Sequence, residues 1–148
     1  MTGVQAVLLP VGDDLYAMPV GWVREVVAAP LVTSLVTAPP PVLGLFNLRG
    51  EIVPLLDTAA MLGTGKVDVA AFAVVLRCPQ GPVAVAATGF PRRALLDSTA
   101  GPSDLHGTAG AYRFEEQVAV LLDPAVLLAL DRSGEPDLHG VHLPAKVG

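Results

Sequence analysis

Apolar residues in this chain come in short runs broken by glycine, proline and acidic turns, a pattern of β-strands rather than long helices. Residues 4–11 and 15–20 are two such runs, and Gly12-Asp13-Asp14 between them predicts a tight hairpin. Residues 71–77 and 83–87 flank Cys78-Pro79-Gln80-Gly81-Pro82, which predicts a second. Residues 112–114 and 117–122 flank Glu115-Glu116, a third. The run from Val42 to Asp57 carries Arg49 at its crest, followed by Gly50, Glu51 and a strand-like stretch over 52–56. Asn47-Leu48-Arg49-Gly50 reads as a hairpin tip, because Gly50 tolerates φ > 0 and Asn47 tolerates left-handed geometry. A guanidinium on such a tip is displayed rather than buried.

Two short helices follow from their caps. Asp57 precedes Thr58-Ala59-Ala60-Met61-Leu62 and Gly63 closes it; Asp123 precedes Pro124, which suits a first helical position, with residues 125–130 behind it. The same caps expose a repeat. Leu55 to Leu62 matches Leu121 to Leu128, 66 residues on, and Gly21-Trp22-Val23-Arg24 matches Gly89-Phe90-Pro91-Arg92, 68 residues on. A duplicated unit of about 65 residues explains this; similarity by chance in a Val/Ala/Leu-rich chain is the alternative. Asn47-Leu48-Arg49-Gly50 falls opposite Arg113-Phe114-Glu115-Glu116, a contrast in charge that hints at a task peculiar to the first tip.

Residues 31–41 read as a stiff connector ending in prolines, with a proline-motif ligand as the lesser alternative. Residues 101–110 read as a mobile loop and 132–148 as a solvated, flexible tail. The chain's 148 residues favour one domain, or two very small ones sharing a core. Hydrophobic residues make up 52% and aromatics 5%, so Val, Leu and Ala build that core. With 14 Pro and 15 Gly, long helices are not expected. A net charge of −5 without a basic run excludes a nucleic-acid binder, which needs a cationic stripe to displace counterions. Cys78 has no partner for a disulfide and is expected as a small core residue in a strand. No secretory signal and no membrane-spanning apolar run are visible, so a cytoplasmic protein without direct membrane insertion is expected.

Reactive chemistry is sparse. Gly63-Thr64-Gly65-Lys66 resembles the end of a phosphate loop, but Ala60 stands where the leading glycine belongs and Val67 replaces the magnesium-binding hydroxyl. His139 and His142 are two ligands without a thiolate or acidic companion, so no metal and no cofactor are expected. His106 lies near loop hydroxyls without a GxSxG elbow; a small hydrolase or ligand-binding β-barrel built on it is the alternative reading. Asp57 and Asp123 are explained as helix caps, Arg92-Arg93 as a surface bend, and Trp22 as a core or rim anchor.

The order of motifs resembles the CheW family, adaptors that couple the histidine kinase CheA to chemoreceptors. The resemblance runs from about Val4 to Leu130. It rests on Tyr16-Ala17-Met18-Pro19, Val23-Arg24-Glu25-Val26, Val32-Thr33 with Ala38-Pro39, Gly44-Leu45-Phe46-Asn47-Leu48-Arg49-Gly50, and Ile52-Val53-Pro54-Leu55-Leu56-Asp57. It implies an all-β fold with short helices: two small five-stranded SH3-like β-barrels sharing a hydrophobic core. That unit spans residues 4–131, in approximate halves 4–63 and 70–131 with strands free to cross between barrels. It implies no enzyme and no cofactor. The implied partners are a CheA-type kinase regulatory domain, at the barrel ends, and a chemoreceptor's cytoplasmic helical tip, in the groove between barrels. Receptor-side residues carried over by motif are Val23, Glu25, Val26, Gly44, Asn47, Arg49 and Gly50, with Arg49 either touching the partner or bracing its turn. The chain departs from the family at Val36, where a proline is common, and at Ala87-Thr88-Gly89-Phe90-Pro91, where Val-Asp-x-Val is usual. A scaffold of the same fold in a pathway other than chemotaxis reads identically.

Overall fold

The computed structural model describes residues 3–35 and 41–129. The proline run, Val36, and the tail with His139 and His142 lie largely or wholly outside these described residues. Strands β1 (Val4–Val11) and β2 (Asp14–Pro19) form the first hairpin, and a 3-10 turn (Val20–Trp22) leads into β3 (Val23–Ala28). The second hairpin is β4 (Val42–Leu48) with β5 (Glu51–Leu56), followed by helix α1 (Thr58–Leu62). Then come β6 (Phe72–Leu76), β7 (Val83–Ala87), β8 (Arg92–Leu96), β9 (Thr99–Gly101), β10 (Thr108–Phe114), β11 (Gln117–Leu122) and helix α2 (Pro124–Leu127).

The chain is mostly β, in two mixed sheets. One orders its strands β8-β1-β2-β11-β10-β9, the other β3-β6-β7-β5-β4. One sheet therefore has the expected five strands, and the other has six. The sixth, β9, has a counterpart in the five-stranded sheet that is a single bridge, Thr33 to Leu45. Each sheet contains one parallel pair, β11 with β2 and β5 with β7. The first hairpin lies with β8, β10 and β11, whereas β6 and β7 lie with β3, β4 and β5. Each sheet thus draws strands from both ends of the sequence.

Alternation explains how the sheets share their apolar residues. Along β1 and β2, Ala6, Leu8, Leu15 and Ala17 belong to a smaller cluster within the six-stranded sheet. Their alternates Leu9, Val11, Tyr16 and Met18 join a larger cluster with β5, β6, β7 and both helices. Both faces are covered, so these strands read as nearly unbroken apolar runs. Each fully buried Leu or Val contributes roughly 1.5–3 kcal/mol relative to exposure.

The arrangement β4-β5-α1 recurs as β10-β11-α2, 66 residues later. The recurrence extends to hydrogen bonds. Asp57 N donates to Pro41 O at 2.7 Å, and Asp123 N to Gly107 O at 2.8 Å. Both aspartates cap their helices, accepting from Ala60 N at 2.9 Å and Val126 N at 3.4 Å.

Several expectations from composition need correcting. Residues 101–110 are not one loop: Gly101 ends β9, and β10 already begins at Thr108. Arg92-Arg93 is not a bend but the start of β8, which pairs with β1 only and is an outer strand. Such a strand keeps little buried; Leu96 alone of its residues is in the core. Cys78 lies just past β6 rather than within a strand, half-buried against the larger cluster. Trp22 is likewise partly buried there.

Candidate functional site

Leu48 and Glu51 face each other across the second hairpin, so its turn is two residues, Arg49 and Gly50. Their φ angles are 51 and 88, both left-handed, as a type I′ hairpin turn requires. Gly50 adopts this freely; Arg49 does so against its Cβ. The left-handed position expected of Asn47 thus falls to Arg49. Asn47 contributes instead by its side chain, whose Oδ1 accepts from Gly50 N at 2.8 Å and closes the turn locally.

The turn is tied to β3 by charge. Arg49 Nη2 donates to Glu25 Oε1 at 2.6 Å, with Arg49 65% exposed and Glu25 27%. Arg24 Nη1 donates to Glu51 Oε1 at 3.0 Å, and Arg24 Nε lies 3.5 Å from Glu25 Oε1. The four charges alternate in sign, Arg49–Glu25–Arg24–Glu51. The hydrogen bond from Arg49 holds the Glu25 carboxyl below the usual carboxylate range; desolvation opposes this, and the charges of Arg49 and Arg24 add to it. Glu25 in turn raises the pKa of Arg49. β3 and β4 are the two outer strands of their sheet, so these ion pairs and the Thr33–Leu45 bridge span the seam between its edges.

The remaining expected residues divide by depth. Val26 is 40% exposed on β3, beside the ion pairs. Val23 packs against the larger core cluster. Gly44 is buried, and a Cβ there would meet Thr33 O at 2.3 Å, so it acts by letting the backbones approach. Thus Glu25, Val26, Asn47, Arg49 and Gly50 converge at the surface, while Val23 and Gly44 support them from below. Sequence reasoning missed Arg24 and Glu51 as members. Their only signal was opposite charge at the start of two strands flanking the same tip.

The corresponding turn in the recurrent unit uses the same device with the signs exchanged. Glu115 has φ 55, and Arg92 Nη2 of β8 donates to its Oε1 at 3.0 Å. The Arg92 guanidinium also sits 5.0 Å from the centre of the Phe114 ring. The charge contrast between the two tips is therefore matched by a contrast in the strand each is tied to.

His106 is exposed. The neighbouring hydroxyls serve the loop: Thr108 Oγ1 donates to Ser103 Oγ at 2.7 Å and lies 2.5 Å from Leu105 O. Two open clefts of about 440 and 540 Å³ adjoin the β1–β2 turn, sharing Asp13, Asp14 and Thr64, and neither is lined by His106. Among the described residues no group of three or more His, Cys, Asp or Glu could hold a metal, and no helix is long and apolar enough to cross a membrane.

Comparison with known proteins places this geometry. Over 66 residues the chain is 33% identical to the probable chemotaxis protein CheW of Rhizobium etli, covering 45% of this chain and 43% of that protein. Over 53 residues it is 38% identical to the chemotaxis protein CheW of Treponema pallidum, covering 36% and 31%. The matched stretches span less than half the length of these curated relatives. Among solved structures, the scaffolding protein TtCheW from Thermoanaerobacter tengcongensis superposes with a TM-score of 0.72 at 16% identity, covering 93% of this chain and 99% of that one. That likeness speaks for the fold. The family model described as CheW-like domain matches residues 5–132, nearly everything from β1 to the end of α2, and the chain belongs to the family of CheW-like domains.

Proposed function

We propose that this chain is a non-enzymatic chemotaxis adaptor that couples a CheA-type histidine kinase to chemoreceptors by docking alone. A CheW-like domain is a scaffold and not an enzyme, and the relatives are named chemotaxis proteins and a scaffolding protein. The receptor's cytoplasmic helical tip docks along the seam between β3 and the β4–β5 turn, where Val26 supplies exposed apolar surface and Arg49 a displayed cation. The kinase regulatory domain docks at the barrel ends. Such an adaptor works in the cytoplasm, held at receptor arrays by its partners.

The observation that carries this reading is Arg49 itself: a strained, 65% exposed arginine on a two-residue turn, held in one orientation by Glu25. Backbone strain at a displayed charge suits a surface organised for recognition. Docking of this kind needs only a modest interface, near or below ~1,200 Å². The test is titration with a receptor helical-tip fragment and with the kinase regulatory domain, using wild type and Arg49→Ala. Wild type binds both; the variant binds the receptor fragment about tenfold more weakly and the kinase domain unchanged. Failure of the wild type to bind either fragment overturns the reading.

A further inference from the structure

Arg24 stands where two separate pieces of the tip meet. The ladder between β3 and β6 shifts register between Val23 and Glu25, so Arg24 is the extra residue of a bulge. A bulge bends its strand and re-aims the side chain it carries. Here the guanidinium reaches Glu51, which opens β5 directly after the turn, and Glu25, whose Oε1 also holds Arg49. Arg24 therefore touches both carboxylates that flank the displayed arginine. Those carboxylates stand on β3 and β5, strands with two others between them in the sheet order.

A single ion pair from Arg49 to Glu25 fixes a distance but leaves both long side chains free to swing about it. A second cation on the same oxygen, itself anchored to a second carboxylate, removes that freedom. Arginine suits the position because its planar guanidinium presents several donors in a fixed fork; a lysine supplies one point charge.

We infer that Arg24 is a positioning residue of the docking turn: by holding Glu25 and Glu51 together it sets the direction in which Arg49 meets an acidic side chain on the partner. The inference deepens the docking reading above and rests on it for the partner. Arg24 acts through Arg49, so its loss matters to binding only while Arg49 is present.

The experiment has two arms on the full chain. The first needs no partner: nitrogen and carbon NMR of the Arg49 guanidinium reports rotation about its Nε–Cζ bond. Rotation is severalfold faster in Arg24→Ala and in Glu51→Gln than in wild type, and intermediate in Arg24→Lys. Unchanged rotation in both Arg24→Ala and Glu51→Gln overturns the inference. The second arm titrates a receptor helical-tip fragment against wild type, Arg24→Ala, Arg49→Ala and the double variant. Arg24→Ala weakens binding about threefold in the wild-type background and has no further effect beside Arg49→Ala. Equal losses in both backgrounds mean that Arg24 acts independently of Arg49, and the inference falls. If wild type itself does not bind the fragment, the docking reading fails, and the rotation arm alone decides whether Arg24 steadies the turn.

Discussion

At Gly44 the limit is set by backbone rather than side chain. A methyl group there would lie 2.3 Å from Thr33 O and 2.7 Å from a Val32 methyl, so the bridge between Thr33 and Leu45 must open to admit it. Gly44→Ala is expected to cost on the order of 2–4 kcal/mol in urea unfolding, through local overpacking. Gly21→Ala, where a Cβ meets nothing within 4 Å, is the control and stays near wild type. Cys78 gives a second residue-scale test. Burial pushes its thiol pKa up to about 11. At pH 8 its thiolate fraction falls about two orders of magnitude below that of a free cysteine of pKa ≈ 8.5, and a disulfide reagent reacts correspondingly slowly until the chain is unfolded. Equal rates folded and unfolded contradict this. Glu25 carries the opposite sign of shift. Its folded pKa is depressed, so its contribution is present above the unfolded value near 4.3 and is lost as pH falls through the folded one. The melting temperature of Glu25→Gln therefore lies slightly below wild type at pH 6 and converges with it in the acid range. A gap that widens on acidification would mean the pair is not what Glu25 supplies.

The two capped helices show how much an element depends on its surroundings. Asp57 is buried, and besides Ala60 N it accepts from Val67 N at 3.2 Å and 3.1 Å through its two oxygens. Asp57→Ala removes a cap worth about 1 kcal/mol and leaves the Val67 N–H without its carboxylate, for a total of roughly 2–4 kcal/mol. Asp123 makes only the longer cap bond to Val126 N, at 3.4 Å. Its substitution is expected to cost about 1 kcal/mol or less, and equal losses from the two in denaturant titrations would contradict this ranking. Both caps were readable in sequence because a cap is local: acceptor, first turn and closing residue lie within six positions. So were β1, β7 and β11, whose apolar runs are bounded by turn residues. What escaped was held by distant partners. β8 has two arginines at its start and finds its register only on β1, some ninety residues earlier in the chain, on the pairing of Leu8 with Arg92. β9 and the start of β10 are rich in Gly, Ser and Thr, with no apolar period, and their order comes from pairing Ala111 with Gly101. The docking turn divides in the same way. Arg49 and Gly50 were legible as a tip, whereas Arg24 and Glu51 join it only once β3 and β5 are brought together across the seam.

Because each sheet takes strands from both ends of the sequence, neither end can complete a sheet unaided. Residues before the β6 strand supply β1 and β2 to one sheet and β3, β4 and β5 to the other. Left alone, β1 and β2 would lose β8 and β11 on either side, and a two-stranded hairpin is marginal in water. The strands β3, β4 and β5 would lose β6 and β7, the two that lie between them. The larger apolar cluster would split as well, since Leu9 and Met18 pack with Val74 and Val85. Further ties cross the same divide: Thr88 N donates to Pro10 O at 2.8 Å, and Thr88 Oγ1 accepts from Gly12 N at 2.8 Å. Cutting the chain between α1 and β6 is therefore expected to give two fragments that are each unfolded by circular dichroism and recover the native spectrum when mixed. The intact chain should unfold in one transition, with near- and far-ultraviolet signals coincident. A first fragment that melts cooperatively by itself would show that β1 to β5 make their own core, and the exchange of hairpins would then not be what couples the two sheets. If the exchange does couple them, a partner gripping the β4–β5 turn strains the sheet that β6 and β7 share with it. Through Thr88 and the common core, that strain reaches β1 and the second sheet, giving a scaffold with two docking faces a rigid path between them.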